Sequence, residues 1–344
     1  LSSKIKLNSL DKPSFANHLA GIIPIGSVPT AGLGMPWHET LMPVAPHYSA
    51  IQRAVVECAI LGCNTIWIVS SIKLQPLVRE HLGELIRDQK AIGLPLERKI
   101  FYKSLRFKRK LVLARLDIPI YYIAYPQAAS ASAEGAAFAI LYGITKIKQI
   151  SSEFSKLLAP EKYWISFPHG VHDSEFLISL RDIVRRTEVN TFLAYESETI
   201  RDGKLLGFSF KNDDLTKFRS VYHRKYQKSH ETFDYREQSA SRFKHSRRKV
   251  KVLLEDVFKE LTVEPGRDIV LELPWYSQID SWEGYCSYLA TNAKKLERTN
   301  LLFASPRWQR RLIEFDELLK NMDSNRGFTI GKKSSIQGSD GEGD

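Results

Sequence analysis

An apolar strand that runs into a glycine- and proline-rich loop, then a helix, then a second apolar strand leaves a chain few architectures to adopt. That order occupies Gly21–Ser71: GIIPIG, SVPTAGLGMPWHETLMPVA, an apolar-periodic run to Gly62, and NTIWIVSS. Strands that are apolar throughout are those covered on both faces of a parallel sheet, so the stretch predicts a β-loop-α-β unit. Its first strand is expected at Gly21–Ile25 and its helix from about Ser49 to Leu61. Ile51, Val55, Cys58 and Ala59 share one face of that helix, and Gly62 sits where a helix-ending glycine belongs. In the loop, Gly26, Gly32 and Gly34 would let a ligand approach the backbone at the strand's carboxyl end, as nucleotide binding on an α/β sheet requires.

The alternation continues downstream. Strands are expected at Thr65–Val69, Ile118–Ala124, Tyr163–Phe167, Thr191–Tyr195, Lys204–Phe210 and Ile269–Leu273, the Thr191 and Lys204 pair turning at Arg201-Asp202-Gly203. Helices are expected at Ser70–Asp88, from near Glu134, and at Ser152–Leu158, Ser174–Arg185, Val252–Leu261, Trp282–Ala293 and Ser305–Asn321. The fold class is therefore α/β, a mostly parallel sheet flanked by helices. Residues 1–20 form a lead-in, 21–293 the domain with a basic insertion at 213–251, 294–323 a C-terminal helix, and 324–344 a Gly/Ser-rich tail expected to be disordered.

The net charge of +11 is concentrated. Arg98–Lys110 holds seven Lys/Arg and no acid, and Lys217–Lys251 holds twelve against Glu231, Asp234 and Glu237, so the rest of the chain nets −5. Basicity thus belongs to two segments rather than to the fold. No apolar run nears the ~20 residues of a membrane-spanning helix, so no membrane partner is expected. The opening LSSKIKLNSLDKPSF lacks the apolar core of a secretory signal, and Cys58, Cys63 and Cys286 show neither paired nor metal-ligand spacing. A reducing, cytoplasmic setting is the expectation.

Four segments in register resemble the sugar-phosphate nucleotidyltransferases, pyrophosphorylase-type enzymes on a Rossmann-like sheet. GIIPIG, LMPVA, VVECAILGC and NTIWIVSS follow the order of that family's first unit. IYYIAYPQ with AEGAAFAILYG is similar to its base-binding strand, loop and helix; DGKLLGFSFK is similar to the strand ending in Glu-Lys-Pro; PWYSQIDSWEGYCSYL is similar to its closing Trp-x-Asp segment. The resemblance implies a nucleotidyltransferase (glycosyltransferase-A-like) fold and transfer of a nucleotidyl group from a nucleoside triphosphate to a sugar phosphate. It implies Mg²⁺ as cofactor, Gln127 and Gly135 at the base, and Lys211 at the sugar phosphate. The chain as a whole also resembles nucleotidyltransferase-like proteins of cyanobacterial tailed phages, which would place it in the host cytoplasm.

That reaction spreads negative charge over the transferring phosphate and the pyrophosphate, so it needs an Arg and a Lys in the first loop and Mg²⁺ on carboxylates. Between Gly21 and Gln52 there is no Lys or Arg. Counted back from Met42-Pro43-Val44, the family's lysine falls on Glu39 and its preceding proline on His38. One metal aspartate falls near His169-Gly170, with Asp173 a few residues late; the other falls on Gln278, with Asp280 two residues late. Phe210 replaces the Glu of Glu-Lys-Pro. Asp173 and Asp280 are thus displaced candidates for catalysis, and impaired catalysis is the expectation. The alternative is a non-catalytic module for a nucleotide-sugar, a nucleic acid or a protein partner, including a phage structural role.

His38, Glu39, His169, His172 and Asp173 are metal-ligand types gathered by the alignment at one sheet end, where they suit either a divalent cation or ordinary polar loops. The second basic run mixes cations with Phe218, Tyr222, Tyr226, Phe233, Tyr235 and Phe243. Such a mixture suits a nucleic acid, with Arg242, Lys244, Arg247, Arg248 and Lys249 as phosphate contacts. It equally suits a solvated helix whose rings pack on the core, or a surface for an acidic protein.

Overall fold

The computed structural model describes residues 14–25, 38–45, 48–86, 118–125, 133–153, 159–172, 175–237, 250–260 and 268–291. The chain parts into Leu1–Phe303 and Ala304–Asp344, and every described residue belongs to the first unit. The expected C-terminal helix and tail, and the Arg98–Lys110 run, lie outside the described residues.

In chain order the elements are β1 (Leu19–Pro24), β2 (Pro43–Ala45), β3 (Tyr48–Ser49), α1 (Ala50–Ile60), β4 (Thr65–Ser71), α2 (Gln75–Leu82) and β5 (Leu85–Ile86). There follow β6 (Ile118–Tyr125), β7 (Ala133–Glu134), α3 (Ala136–Glu153), β8 (Lys162–Ile165), β9 (Gly170–Val171) and α4 (Arg181–Arg185). The remainder is β10 (Asn190–Ala194), β11 (Phe208–Lys211), α5 (Asp214–Glu237), β12 (Val250–Lys251), α6 (Leu254–Glu260), β13 (Asp268–Glu272), β14 (Ser277–Gln278) and α7 (Trp282–Thr291). Eight strands form one sheet in the order β13-β10-β11-β8-β1-β4-β6-β5. β11 runs against β8 and β10, and β5 against β6; all other neighbours are parallel. The expected α/β class, with a mostly parallel sheet flanked by helices, is what the chain forms.

The sheet's side chains alternate between two cores. Leu19, Ile23, Ile66, Ile68, Trp164 and Leu193 face a cluster shared with α1. Ala20, Ile22, Trp67, Val69, Tyr163 and Phe192 face one shared with α3 and α5. Period-two burial on both faces is what the apolar strands dictated.

Four local expectations need correction. The expected helix Ser70–Asp88 is shorter: β4 runs through Ser71, and Gly83, at φ +77, ends α2 and lets Leu85–Ile86 pair with β6. α3 is continuous to Glu153, so no separate helix begins at Ser152. Glu175–Leu180 is a 3-10 helix before the short α4. The expected one-faced α1 is buried on every side, because the sheet covers one flank while β3 and the Glu39–Leu41 and Glu175–Leu180 turns cover others.

Candidate functional site

Strand order reverses between β1 and β8: from β1 the chain moves out to β4 and β6, then returns to β8 on β1's other side. In open α/β sheets ligands bind beyond the strands' carboxyl ends at such a reversal. The ends in question are Ile25, whose amide bonds Val69 O, and Ser166, whose amide bonds Ile22 O.

The loop after β1, with Gly26, Gly32 and Gly34, lies outside the described residues. The chain is described again at His38, whose Nδ1 accepts a hydrogen bond from the Thr40 amide and so caps the 3-10 turn Glu39–Leu41. β2 and β3 then pair, and Ser49 closes a capping box with Gln52 that starts α1. α7 fastens this tail from outside: Tyr285 Oη donates to Pro43 O at 2.8 Å and Tyr288 Oη to Val44 O. The Leu-Met-Pro-Val stretch is thereby held between the first helix and the closing one.

Glu39 stands buried at the carboxyl end of the sheet, its Oε1 3.1 Å from His169 Nε2. His38 Nδ1 lies 3.8 Å from the other carboxylate oxygen. One turn into α1, Arg53 is 1% exposed and fully engaged on both terminal nitrogens. Its Nη2 donates to Phe167 O at 2.5 Å, and its Nη1 lies 2.7 Å from Glu57 Oε2 and 3.1 Å from His172 Nε2. Glu57 also accepts from Trp164 Nε1 at 2.8 Å and Ser166 Oγ at 2.9 Å, and His172 Nε2 lies 3.2 Å from its Oε2. Burial by itself would raise the Glu57 carboxyl, but Arg53 and His172 outweigh it and hold the group down at about 2. This buried ion pair, with its hydrogen bonds to Phe167 O, Trp164 and Ser166, ties α1 to the end of β8.

The closing segment comes to the same place. β14 pairs antiparallel with β9, setting Gln278 opposite Gly170, and Ile279 N donates to His169 O at 2.9 Å. Gln278 accepts from Tyr276 Oη at 2.7 Å and donates to Asp280 Oδ2 at 2.5 Å. Gly170 is required at that crossing, since a Cβ there would sit 2.0 Å from Leu205 O.

So three aligned positions distant in sequence are brought together: Glu39, the His169-Gly170 pair, and Gln278 with Asp280. Gly135, at φ +106, opens α3 beside the carboxyl end of β6, where Tyr125 and Phe138 meet edge to face at 5.7 Å. Lys211 is not brought there. It pairs with Lys162 at the amino end of β8 and donates to Glu188 O at 2.6 Å, on the opposite side of the sheet. Gln127, Asp173, Arg242, Lys244, Arg247, Arg248 and Lys249 lie outside the described residues. Of the second basic run's rings, Phe218 and Tyr222 are buried in the core shared with α3, so Phe218 is committed to packing.

Glu39, Glu57 and Asp280 place carboxylates around this sheet end, and the guanidinium of Arg53 is taken up by Glu57. Among the described residues, no group of three His, Cys, Asp or Glu side chains is arranged to hold a metal ion. Mg²⁺ asks for carboxylate oxygens in near-octahedral array. Of the positions the resemblance gives to metal ligands, the described residues offer one carboxylate, Asp280, whose Oδ2 accepts from the Gln278 amide, and Asp173 lies outside them. Arg53 and Glu57 escaped the sequence analysis; their signal is an i, i+4 Arg–Glu pair inside the otherwise apolar AIQRAVVECAI.

No protein-family profile matches the sequence. Nor does any curated protein match it. Among solved structures, a protein assigned as a glucose-1-phosphate thymidylyltransferase from Bacillus anthracis, in complex with a sucrose, is similar at 11% identity and a TM-score of 0.47, over 83% of this chain and 98% of that one. The Rv0371c protein of Mycobacterium tuberculosis H37Rv is similar at 9% identity and a TM-score of 0.40, over 81% and 100%. Both scores fall below 0.5, and the fold assignment stands on the sheet's own topology.

Proposed function

We propose that the protein is a nucleotidyltransferase-like module that binds a nucleotide or nucleotide-sugar beyond β1 and β8 without catalysing nucleotidyl transfer. The observation that carries this is the Glu39–His169 pair, a buried carboxylate 3.1 Å from a partly buried imidazole where the resembled family would present a lysine and a metal ligand. The scaffold's parts converge at the strand-order reversal, which favours retention of a binding crevice. The charge there has the wrong sign for a developing pyrophosphate, because Arg53 is neutralised by Glu57 and Asp280 is held by Gln278.

Titration calorimetry of nucleoside triphosphates and nucleoside diphosphate sugars, with and without Mg²⁺, tests the proposal. Binding that does not need Mg²⁺, and triphosphate affinity that rises in Glu39→Gln by roughly tenfold, is expected from removing one nearby carboxylate. Mg²⁺-dependent binding that weakens in Glu39→Gln would overturn it.

A further inference from the structure

On the other face of the sheet from α1, helices α3 and α5 line an open cavity of about 310 Å³. That is the lower end of the volume of small-molecule sites, roughly 300–1,000 Å³. Phe138 and Tyr142 line it from α3, and Tyr222 and Tyr226 from α5, with Arg219 and His223 on the same wall. The rings are arrayed as pairs: Tyr222 and Tyr226 stack at 6.2 Å between centroids and 19° between planes, and Phe138 and Tyr142 lie 5.8 Å apart. Tyr222 is 5% exposed, and its hydroxyl has no hydrogen-bond partner among the described residues.

The ionised side chain that lines the cavity is a cation, Arg219. Lys217–Lys228 carries five Lys/Arg and no acid. Across from it on α3, burial and the neighbouring Arg219 both lower the Lys148 amine, with Asp213 opposing them. Arg219 on the cavity wall thus has a second cation, Lys148, within electrostatic reach, with Asp213 as the opposing anion. Aromatic walls that accept a flat ring, with adjacent cations for a phosphate, are what a nucleotide needs.

We propose that this cavity is a second ligand site, separate from the crevice beyond β1 and β8, which takes the base of a 5′-nucleotide among its tyrosines and the phosphate at Arg219. That unit can be a free mononucleotide or one nucleotide of a single strand.

The test uses the full chain with two probes: AMP by titration calorimetry, and a short fluorescein-labelled oligothymidylate by anisotropy across salt. Arg219→Glu and Tyr226→Ala are compared with wild type, and Glu39→Gln serves as the control for the other crevice. Expected is binding of at least one probe that weakens with salt and drops roughly tenfold or more in Arg219→Glu, with no loss in Glu39→Gln. AMP that binds with this dependence and displaces the strand identifies the free nucleotide. Strand binding that AMP does not displace identifies a nucleotide within a strand. Binding of neither probe, or affinity unchanged in Arg219→Glu, overturns the site. Arg219 is exposed, so its substitution leaves the core intact even should Tyr226→Ala fail to fold.

Discussion

Arg53 and Glu57 show how a single residue's context changes its meaning. In the sequence they are a helical i, i+4 pair of the kind that usually lies in solvent; in the fold both are about 1% exposed. Removing one partner strands the other, so Glu57→Gln should lower stability by about 3–5 kcal/mol, measured by urea denaturation. A loss under about 1 kcal/mol would mean the pair is not the tie between α1 and β8. Because the Glu57 carboxyl is held at about 2, its contribution is full above the ordinary carboxylate range and fades as pH falls from about 4.5 toward 2. Lys162 makes stability rise with pH as well, in a higher window and because burial disfavours its charged form. Burial, then Lys211, lower its amine to about 7, with Glu188 opposing, while Nζ donates to Val184 O at 2.5 Å and Arg186 O at 2.8 Å. Between pH 7 and its ordinary value near 10.5 the unfolded chain binds the extra proton, so this group makes stability rise with pH by up to about 1.4 kcal/mol per unit. Urea melts at pH 7, 8 and 9 should show a shallower rise in Lys162→Met than in wild type; parallel slopes would contradict it. Neither residue was legible in advance, since burial of a charged side chain is decided by what packs around it.

At the scale of elements, strands were the most legible. β1, β4 and β8 lie where apolar runs predicted them, because a strand covered on both faces has no polar position to blur the pattern, while β6 and β13 kept an apolar signal on their buried faces. Helix ends were read where glycine does the work: Gly62, at φ +82, ends α1 as expected, whereas the same role of Gly83 was missed and α2 was drawn too long. The short β9–β14 pairing has no signature at two residues each, yet it sets Gln278 beside Gly170. Gly170→Ala should cost about 1–3 kcal/mol by forcing a methyl against Leu205 O, and should pull β14 from β9. Thermal denaturation and amide exchange at Ile279 check it; a fully stable variant with slow exchange would show that the backbone yields there. The second basic run was legible in composition, and of the roles that composition allowed, rings packed on the core is the one its first half takes in part. Its first half is α5, with Leu215, Phe218 and Val221 in the core, so part of the aromatic content once suited to stacking on a ligand is structural.

For the whole molecule, the order β13-β10-β11-β8-β1-β4-β6-β5 puts the strand reversal beside the first loop, and this placement makes the sequence resemblance geometrically coherent. Aligned positions more than a hundred residues apart meet: Glu39 with His169, and Gly170 with Gln278. The correspondence fails for Lys211, which the antiparallel course of β11 carries to the sheet's other end. A motif read from sequence fixes a residue's neighbours along the chain, but the strand's direction decides which edge of the sheet it reaches. The gathered positions hold a carboxylate–imidazole pair, an amide and one capped aspartate, where phosphoryl chemistry asks for cations and a metal. Pyrophosphate release is the most direct measurement of that claim. Purified protein is incubated with each nucleoside triphosphate, a panel of sugar 1-phosphates and Mg²⁺, and released pyrophosphate is followed by a coupled assay. No release above the protein-free rate with any pair is the predicted result; turnover with any pair, abolished in Asp280→Asn, would contradict it.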